Sequence, residues 1–252
     1  VNKFLTIIFL FFTYNFVFAQ NAEELYKQGL KHRKEHNNKD GFFVFQKLLA
    51  LDSNNVNYLS NASNFYSRYG FAYANEKDKI SLYRTAEYLA LKAIKKDDKN
   101  ADCHYVYALA LGRINENASS KQKIANSKLI KTELDVTLKL NPQHAGAYHI
   151  LGRWHRTIAA FSAIEKLAIN TLFGGVPEGG SYDAALQAFK QAYKFEPTYK
   201  LHQYELAQTY YEMKRYADAK IWATKALQIP SVYLEEKNTD INCNELLKKI
   251  KE

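Results

Sequence analysis

The 252-residue chain has little cysteine, methionine, proline or glycine: two, one, four and ten residues respectively. Two cysteines, Cys103 and Cys243, allow one disulfide at most and exclude a fold built on a disulfide framework. No cysteine–histidine pair has the spacing of metal ligands. Cys103 and His104 are adjacent, and adjacent residues of a helix point apart, which excludes a thiolate–imidazole couple there. His32 and His36 share a helical face, but Lys31, Arg33 and Lys34 beside them repel a cation. Neither H-E-x-x-H nor G-x-S-x-G occurs. No metal, cofactor or catalytic group is therefore expected.

Four of the ten glycines fall in LFGGVPEGGS (172–181). From Gly174 this reads G-x-x-x-x-G-G-S, one residue short of a phosphate-binding loop, with Gly180 where the lysine belongs. The residues before it, TIAAFSAIEKLAINTLF (157–173), have a helical pattern rather than that of a strand, and Ser181 suits the N-cap of the helix that follows. The loop is expected to connect two helices and to bind no nucleotide.

The chain is rich in apolar residues at its start. VNKFLTIIFLFFTYNFVFAQ pairs Lys3 with an apolar run from Leu5 to Phe18 and a Val17-Phe18-Ala19 ending. It reads as a secretory signal, 1–19, cut after Ala19. The expected product is 20–252, exported and periplasmic. Gln20 in place of cysteine predicts no lipid anchor, and no later segment is apolar enough to span a membrane. A net charge of +9 suits anionic partners without naming them; nucleic acid is not expected of an exported chain.

Three of the four prolines close similar phrases: TLKLNP (137–142), AYKFEP (192–197) and KALQIP (225–230). KLLALDSNN (47–55) and KAIKKDDKN (92–100) have the same shape without proline. Each ends an apolar-periodic helix at a polar stop. LHQYELAQTYYEMKRYADAKIWATKALQIP (201–230) is the clearest copy of a helix-turn-helix repeat of the tetratricopeptide kind, with Ala207, Ala219 and Ala226 at the close approaches. AEELYKQGLKHRKEHNNKDGFFVFQKLLALDSN (22–54) is the first copy. The middle copies carry extra residues near 70–79, 113–123 and 158–180. The expected fold is all-α: a right-handed tetratricopeptide-like solenoid of about five helix pairs with lengthened helices. A terminal helix near 240–251 would offer a polar cap.

ILGRWHRTIAAFSAIEKLAINTLFGGVPEGGSYDAALQAFKQAYKFEP (150–197) resembles the regulator of microtubule dynamics family, most specifically between 148 and 230. The matching residues include Leu151-Gly152-Arg153-Trp154, Leu172-Phe173-Gly174, Pro177, Asp183-Ala184-Ala185-Leu186 and Glu196-Pro197. The resemblance implies a tetratricopeptide-like helical domain without catalysis. Eukaryotic members associate with microtubules. The helical domain of the protein-tyrosine-phosphatase-interacting member binds and moves phospholipids.

In such an array the first helix of each pair lines the concave face. Projecting the repeat places Arg33, Arg68, Arg113, Arg153 and Arg156 there, with Tyr105, His149, Tyr204 and Tyr211. These are five of the seven arginines, whereas among the lysines only Lys34 falls on the projected face. Arginine holds carboxylates and phosphates through paired hydrogen bonds, which points to an anion-binding groove for a partner's acidic or C-terminal peptide. The competing reading is a cation at a helix C-terminus, favoured by the dipole. Eleven of the sixteen residues from 158 to 173 are apolar, more than one stripe requires. They form either a buried core helix or the wall of an apolar channel or partner surface. A channel of Trp154, Phe161, Ile164, Leu172 and Phe173 would take acyl chains, making a phospholipid carrier the alternative to a peptide-binding scaffold.

Overall fold

The computed structural model describes residues 21–172 and 175–251. The expected leader and Phe173 lie outside the described residues. Among the described residues the chain is helical with no strand. Helix α1 covers residues 21–34. It is followed by α2 (Asn38–Leu51), α3 (Val56–Tyr73), α4 (Glu76–Lys96), α5 (Ala101–Ile114) and α6 (Ser120–Leu140). Then come α7 (Ala145–Ala160), α8 (Ala163–Leu172), α9 (Tyr182–Phe195), α10 (Lys200–Glu212), α11 (Tyr216–Leu227) and α12 (Leu234–Lys251).

Short polar side chains set many of the starts. The side chains of Asn37, Asn55, Asn75, Asn100, Ser119 and Ser181 each accept from a backbone N–H of the first turn of the following helix. Asp52, Asp97, Asn141 and Glu196 end four helices in extended or irregular backbone. The result is five pairs: α1/α2, α3/α4, α5/α6, α7/α9 and α10/α11. The first helices of successive pairs also touch, α3 on α5, α5 on α7 and α7 on α10. The chain is a solenoid, as expected, with its core between layers. Phe45, Leu48, Leu59 and Phe65 fill the N-terminal part, and Val106, Leu134 and Trp154 the middle. Phe189, Leu206 and Ala219 fill one C-terminal layer, and Ala207, Ala223 and Leu246 the next.

Two glycines let bulky neighbours in. A Cβ on Gly41 would sit 2.1 Å from the Phe65 ring, and one on Gly152 2.6 Å from the Phe189 ring. Each is thus the contact point between two helices of its neighbourhood.

Three expectations need correction. Residues 158–173 are not one lengthened helix: α7 stops at Ala160 and α8 starts after Ser162. Ser162 Oγ accepts from Glu165 N while the Glu165 carboxylate accepts from Ser162 N, a reciprocal capping box that begins a new helix. No residue of α8 is buried, so the core-helix reading fails for 163–172. Finally, the terminal helix begins at Leu234 rather than near 240, and its first turn reaches back to α2, where Glu235 accepts from Asn38. Cys103 and Cys243 are free, buried and in separate core clusters. Among the described residues, no helix is long and apolar enough to cross a membrane.

Candidate binding groove

The projected arginines lie on α1, α3, α5 and α7, and each stands within 4 Å of a carboxylate. Arg33 donates to both Asp102 oxygens, at 2.9 and 3.1 Å, and to Asn61 at 2.9 Å, tying α1 to α3 and α5. His144 faces the same carboxylate at 3.0 Å. Burial disfavours the Asp102 charge, but the bonds from His144 and Arg33 outweigh it and hold the carboxyl well below the usual range. Arg68 donates to the Tyr199 hydroxyl at 3.0 Å and stands 3.6 Å from Glu235. Arg113 pairs with Glu116 at 3.1 Å and lies over the Phe71 ring at 3.8 Å. Arg156 pairs with Glu205 at 2.5 Å and approaches Glu212 at 3.7 Å. Arg153 reaches Glu205 only at 3.7 Å, and its side chain stays 49% exposed.

The groove therefore contains acids in step with its arginines. Asp102, Glu116, Glu205 and Glu235 do not fall on the projected repeat positions. Asp102 reads in sequence as a first-turn residue of α5, and Glu235 lies beyond the last repeat, where no repeat position assigns it a direction. The contacts of Arg33, Arg68, Arg153 and Arg156 cross between elements, whereas Arg113, in the last turn of α5, pairs with Glu116 three residues on, as the helix-end reading expects.

The remaining sequence candidates divide. Tyr105 is buried in the core, its ring 4.4 Å from His144. His149 is buried, its Nδ1 3.0 Å from Nδ1 of His202, so one ring donates to the other. Burial, His202 and then the nearby arginines push its pKa well down. Tyr211 packs between α10 and α11 against Tyr216 and Trp222, away from the open part of the groove. Tyr204 faces that part.

What stays open is a pocket of about 400 Å³ lined by Phe71, Arg113, Arg153, Leu201 and Tyr204, with Asn238 and Ile241 of α12 among its other lining residues. Arg113 Nε is buried here without a hydrogen-bond partner. Of the four described apolar-channel candidates, Trp154 and Phe161 share a core cluster, and Ile164 and Leu172 stand apart from it. Trp154 is buried and donates from Nε1 to Ser127 O at 2.9 Å. Phe161 packs on the same core cluster, Ile164 and Leu172 are exposed on α8, and Phe173 lies outside the described residues. Among the described residues, no group of three or more histidine, cysteine, aspartate or glutamate side chains is placed to hold a metal ion.

Helix α12 is held by a second buried pair. Lys200, 1% exposed, lies 2.5 Å from Asp240, and Ser231 bonds to both. Beyond it, Cys243 and Leu246 pack on Ala207, Ala223 and Ala226.

Comparison with known proteins places this architecture. A thermophilic TPR protein of Thermus thermophilus superposes with a TM-score of 0.61 at 15% identity, over 90% of this chain and 98% of that one, a likeness of fold. Regulator of microtubule dynamics protein 1 of Bos taurus is 30% identical over 176 residues, 69% of this chain and 55% of the bovine protein. The Mus musculus protein of the same name is 26% identical over 227 residues, 90% of this chain and 68% of the mouse protein. The chain thus spans little more than half of the bovine relative. The profile of regulator of microtubule dynamics protein 1-3 matches residues 18–251, and the chain belongs to that family.

Proposed function

We propose that this chain is a non-enzymatic, exported scaffold whose concave pocket binds an acidic segment of a protein partner. The observation that carries the reading is the state of Arg153. Arg33 and Arg156 are engaged in short pairs at the wall, whereas Arg153 is half-exposed at the rim with only a long contact to Glu205. Arg113 adds a buried Nε with no partner, and Tyr204 a hydroxyl-bearing ring. Phe71, Leu201 and Ile241 supply the apolar wall against which a peptide side chain loses water. Export rests on the 1–19 segment. The relatives carry names that refer to microtubule dynamics; the partner-binding reading rests on the pocket.

The test uses purified 20–252 with a fluorescein-labelled glutamate-rich peptide and its glutamine counterpart, read by anisotropy at two salt concentrations. The glutamate peptide is expected to bind more tightly, with salt dependence. Arg153→Ala should weaken it about tenfold, the loss of one charge-assisted hydrogen bond. Equal binding of the two peptides, or an unchanged Arg153→Ala variant, refutes the reading. Native mass spectrometry of the same preparation distinguishes the phospholipid alternative, which requires co-purifying lipid.

A further inference from the structure

We propose that Asn38, Arg68 and Tyr199 form a carboxylate-binding seat that α12 fills in cis with Glu235, and that an acidic side chain of a partner takes the seat when the start of α12 withdraws. The proposal rests on the peptide-binding reading above and assigns a regulation to it.

The seat is assembled from three distant parts of the chain. Asn38 Nδ2, in the first turn of α2, donates to Glu235 Oε2 at 2.5 Å. The Tyr199 hydroxyl, just before α10, donates to Oε1 at 2.8 Å and itself accepts from Arg68 Nη1 of α3 at 3.0 Å. The His36 ring stacks on Tyr199 at 4.0 Å and fixes its plane. Around this carboxylate the direct contacts are donors or cations, so without Glu235 the Arg68 guanidinium keeps only the more distant Glu196 as a counter-charge. Burial opposes the Glu235 charge, but Arg68 and Tyr199 overcome it and keep the carboxyl below its usual range. That is the environment of a bound anion.

The origin of the occupant sets Glu235 apart from the other groove acids. Asp102, Glu205 and Glu212 belong to first helices of the pairs, and Glu116 follows α5 directly. Removing any of them from the groove would unpack a repeat. Glu235 arrives on a helix appended after the fifth pair, beyond the turn at 230–233. From 234 to 238 Glu235 is the only buried residue, while Leu234, Lys237 and Asn238 are exposed. The firm anchors of α12 flank this turn, at Ser231 before it and at Thr239, Asp240, Cys243 and Leu246 after it. Residues 232–238 can therefore lift out between these anchors, at the loss of the Glu235 contacts and of the bond between Tyr73 and the Leu234 backbone, while the rest of the helix stays docked. Glu235 and Asn238 also line the open pocket beside Arg113 and Arg153, so a chain entering that pocket meets the turn it would displace.

The experiment compares wild-type 20–252 with Glu235→Gln, which keeps the shape and an acceptor but removes the charge. The same glutamate-rich and glutamine-rich peptides serve as probes, and hydrogen exchange is followed at 234–239. The glutamate peptide is expected to bind Glu235→Gln at least about tenfold more tightly than wild type, and to accelerate exchange at 234–239 in wild type. If it binds both proteins equally and leaves 234–239 protected in wild type, the seat proposal is overturned and the pocket reading stands. If neither protein prefers glutamate over glutamine, the pocket reading fails and takes this one with it. The exchange measurement on wild type decides the matter even where the variant folds poorly.

Discussion

Replacing Arg156 with methionine separates a structural clasp from a ligand-holding group. Arg156 lies 2.5 Å from Glu205, approaches Glu212 at 3.7 Å, and donates to Glu205 O and Thr209 Oγ1 at 3.3 and 3.4 Å. The two principal side chains are 15% and 6% exposed. Methionine keeps the packing length and removes every one of these bonds. Glu205 is then left buried, with only the half-exposed Arg153 at 3.7 Å. Stripping one partner from a buried pair costs about 3–5 kcal/mol, and the surviving Arg153 contact, screened by solvent, keeps the loss to about 3 kcal/mol. Against a total stability of about 5–15 kcal/mol this is large. For a chain of this size it lowers Tm by roughly 6–12 °C.

The assay is urea unfolding followed by circular dichroism, with the Arg156→Met/Glu205→Leu double variant alongside. Removing both charges eliminates the orphan, so the double variant should lie within about 1 kcal/mol of wild type or above it. A loss below about 1 kcal/mol in the single variant refutes the reasoning, because Glu205 would then be finding water or another partner. A double variant as damaged as the single one refutes it differently, by showing that packing rather than charge was lost.

Two further outcomes follow from the geometry. Gly152→Ala forces a methyl to within 2.6 Å of the Phe189 ring and should cost about 1–3 kcal/mol, whereas Gly112→Ala, which meets no heavy atom within 4 Å, should be neutral or stabilising by up to about 1 kcal/mol; their urea midpoints should move in opposite directions or differ clearly. Stability should fall in two stages on acidification: His149, with its folded pKa pushed below 6.5 by burial, His202 and nearby arginines, contributes stability present above about 6.5 and lost as pH falls through its folded value, and Asp102, held far below 3.8 against its burial by His144 and Arg33, adds a loss that begins below about pH 4. His149→Gln should reduce the upper stage, to which His36 and His155 also contribute, and Asp102→Asn the lower, to which Glu196 and Glu235 also contribute, and a midpoint constant from about pH 7 to about pH 3 would contradict both.

The pairing of helices was legible because its determinants are local. Asparagine and serine caps, polar stops after apolar runs and alanines at close approaches all act within a few residues. The break between α7 and α8 was also written locally, in Ser162 and Glu165, but the apolar excess from 158 to 173 drew the reading toward one buried helix. Ile164 and Leu172 are apolar and exposed, which hydropathy alone does not separate from apolar and buried. The repeat projection singled out arginines that each stand near a carboxylate. It missed Glu235 and Asn38 because their 197-residue separation is closed by the curvature of the whole array.

That curvature changes what the positive charge of the chain accomplishes. Five arginines lie along the groove, and Asp102, Glu116, Glu205, Glu212 and Glu235 stand against them. The groove is close to neutral, and the excess of nine positive charges belongs to lysines, of which only Lys200 is buried among the described side chains. A lysine-covered surface attracts an acidic partner over about a Debye length and loses that attraction in salt. Under the proposed function, Arg153 can take an incoming carboxylate directly, whereas Arg68 gains one only where the resident Glu235 yields it. Salt should therefore slow association by screening the lysines, while the residence time should follow the resident acids. Charge-neutral variants at Glu205 and Glu235 act on the second step and leave the first unchanged, so association and dissociation rates measured across a salt series distinguish the two contributions.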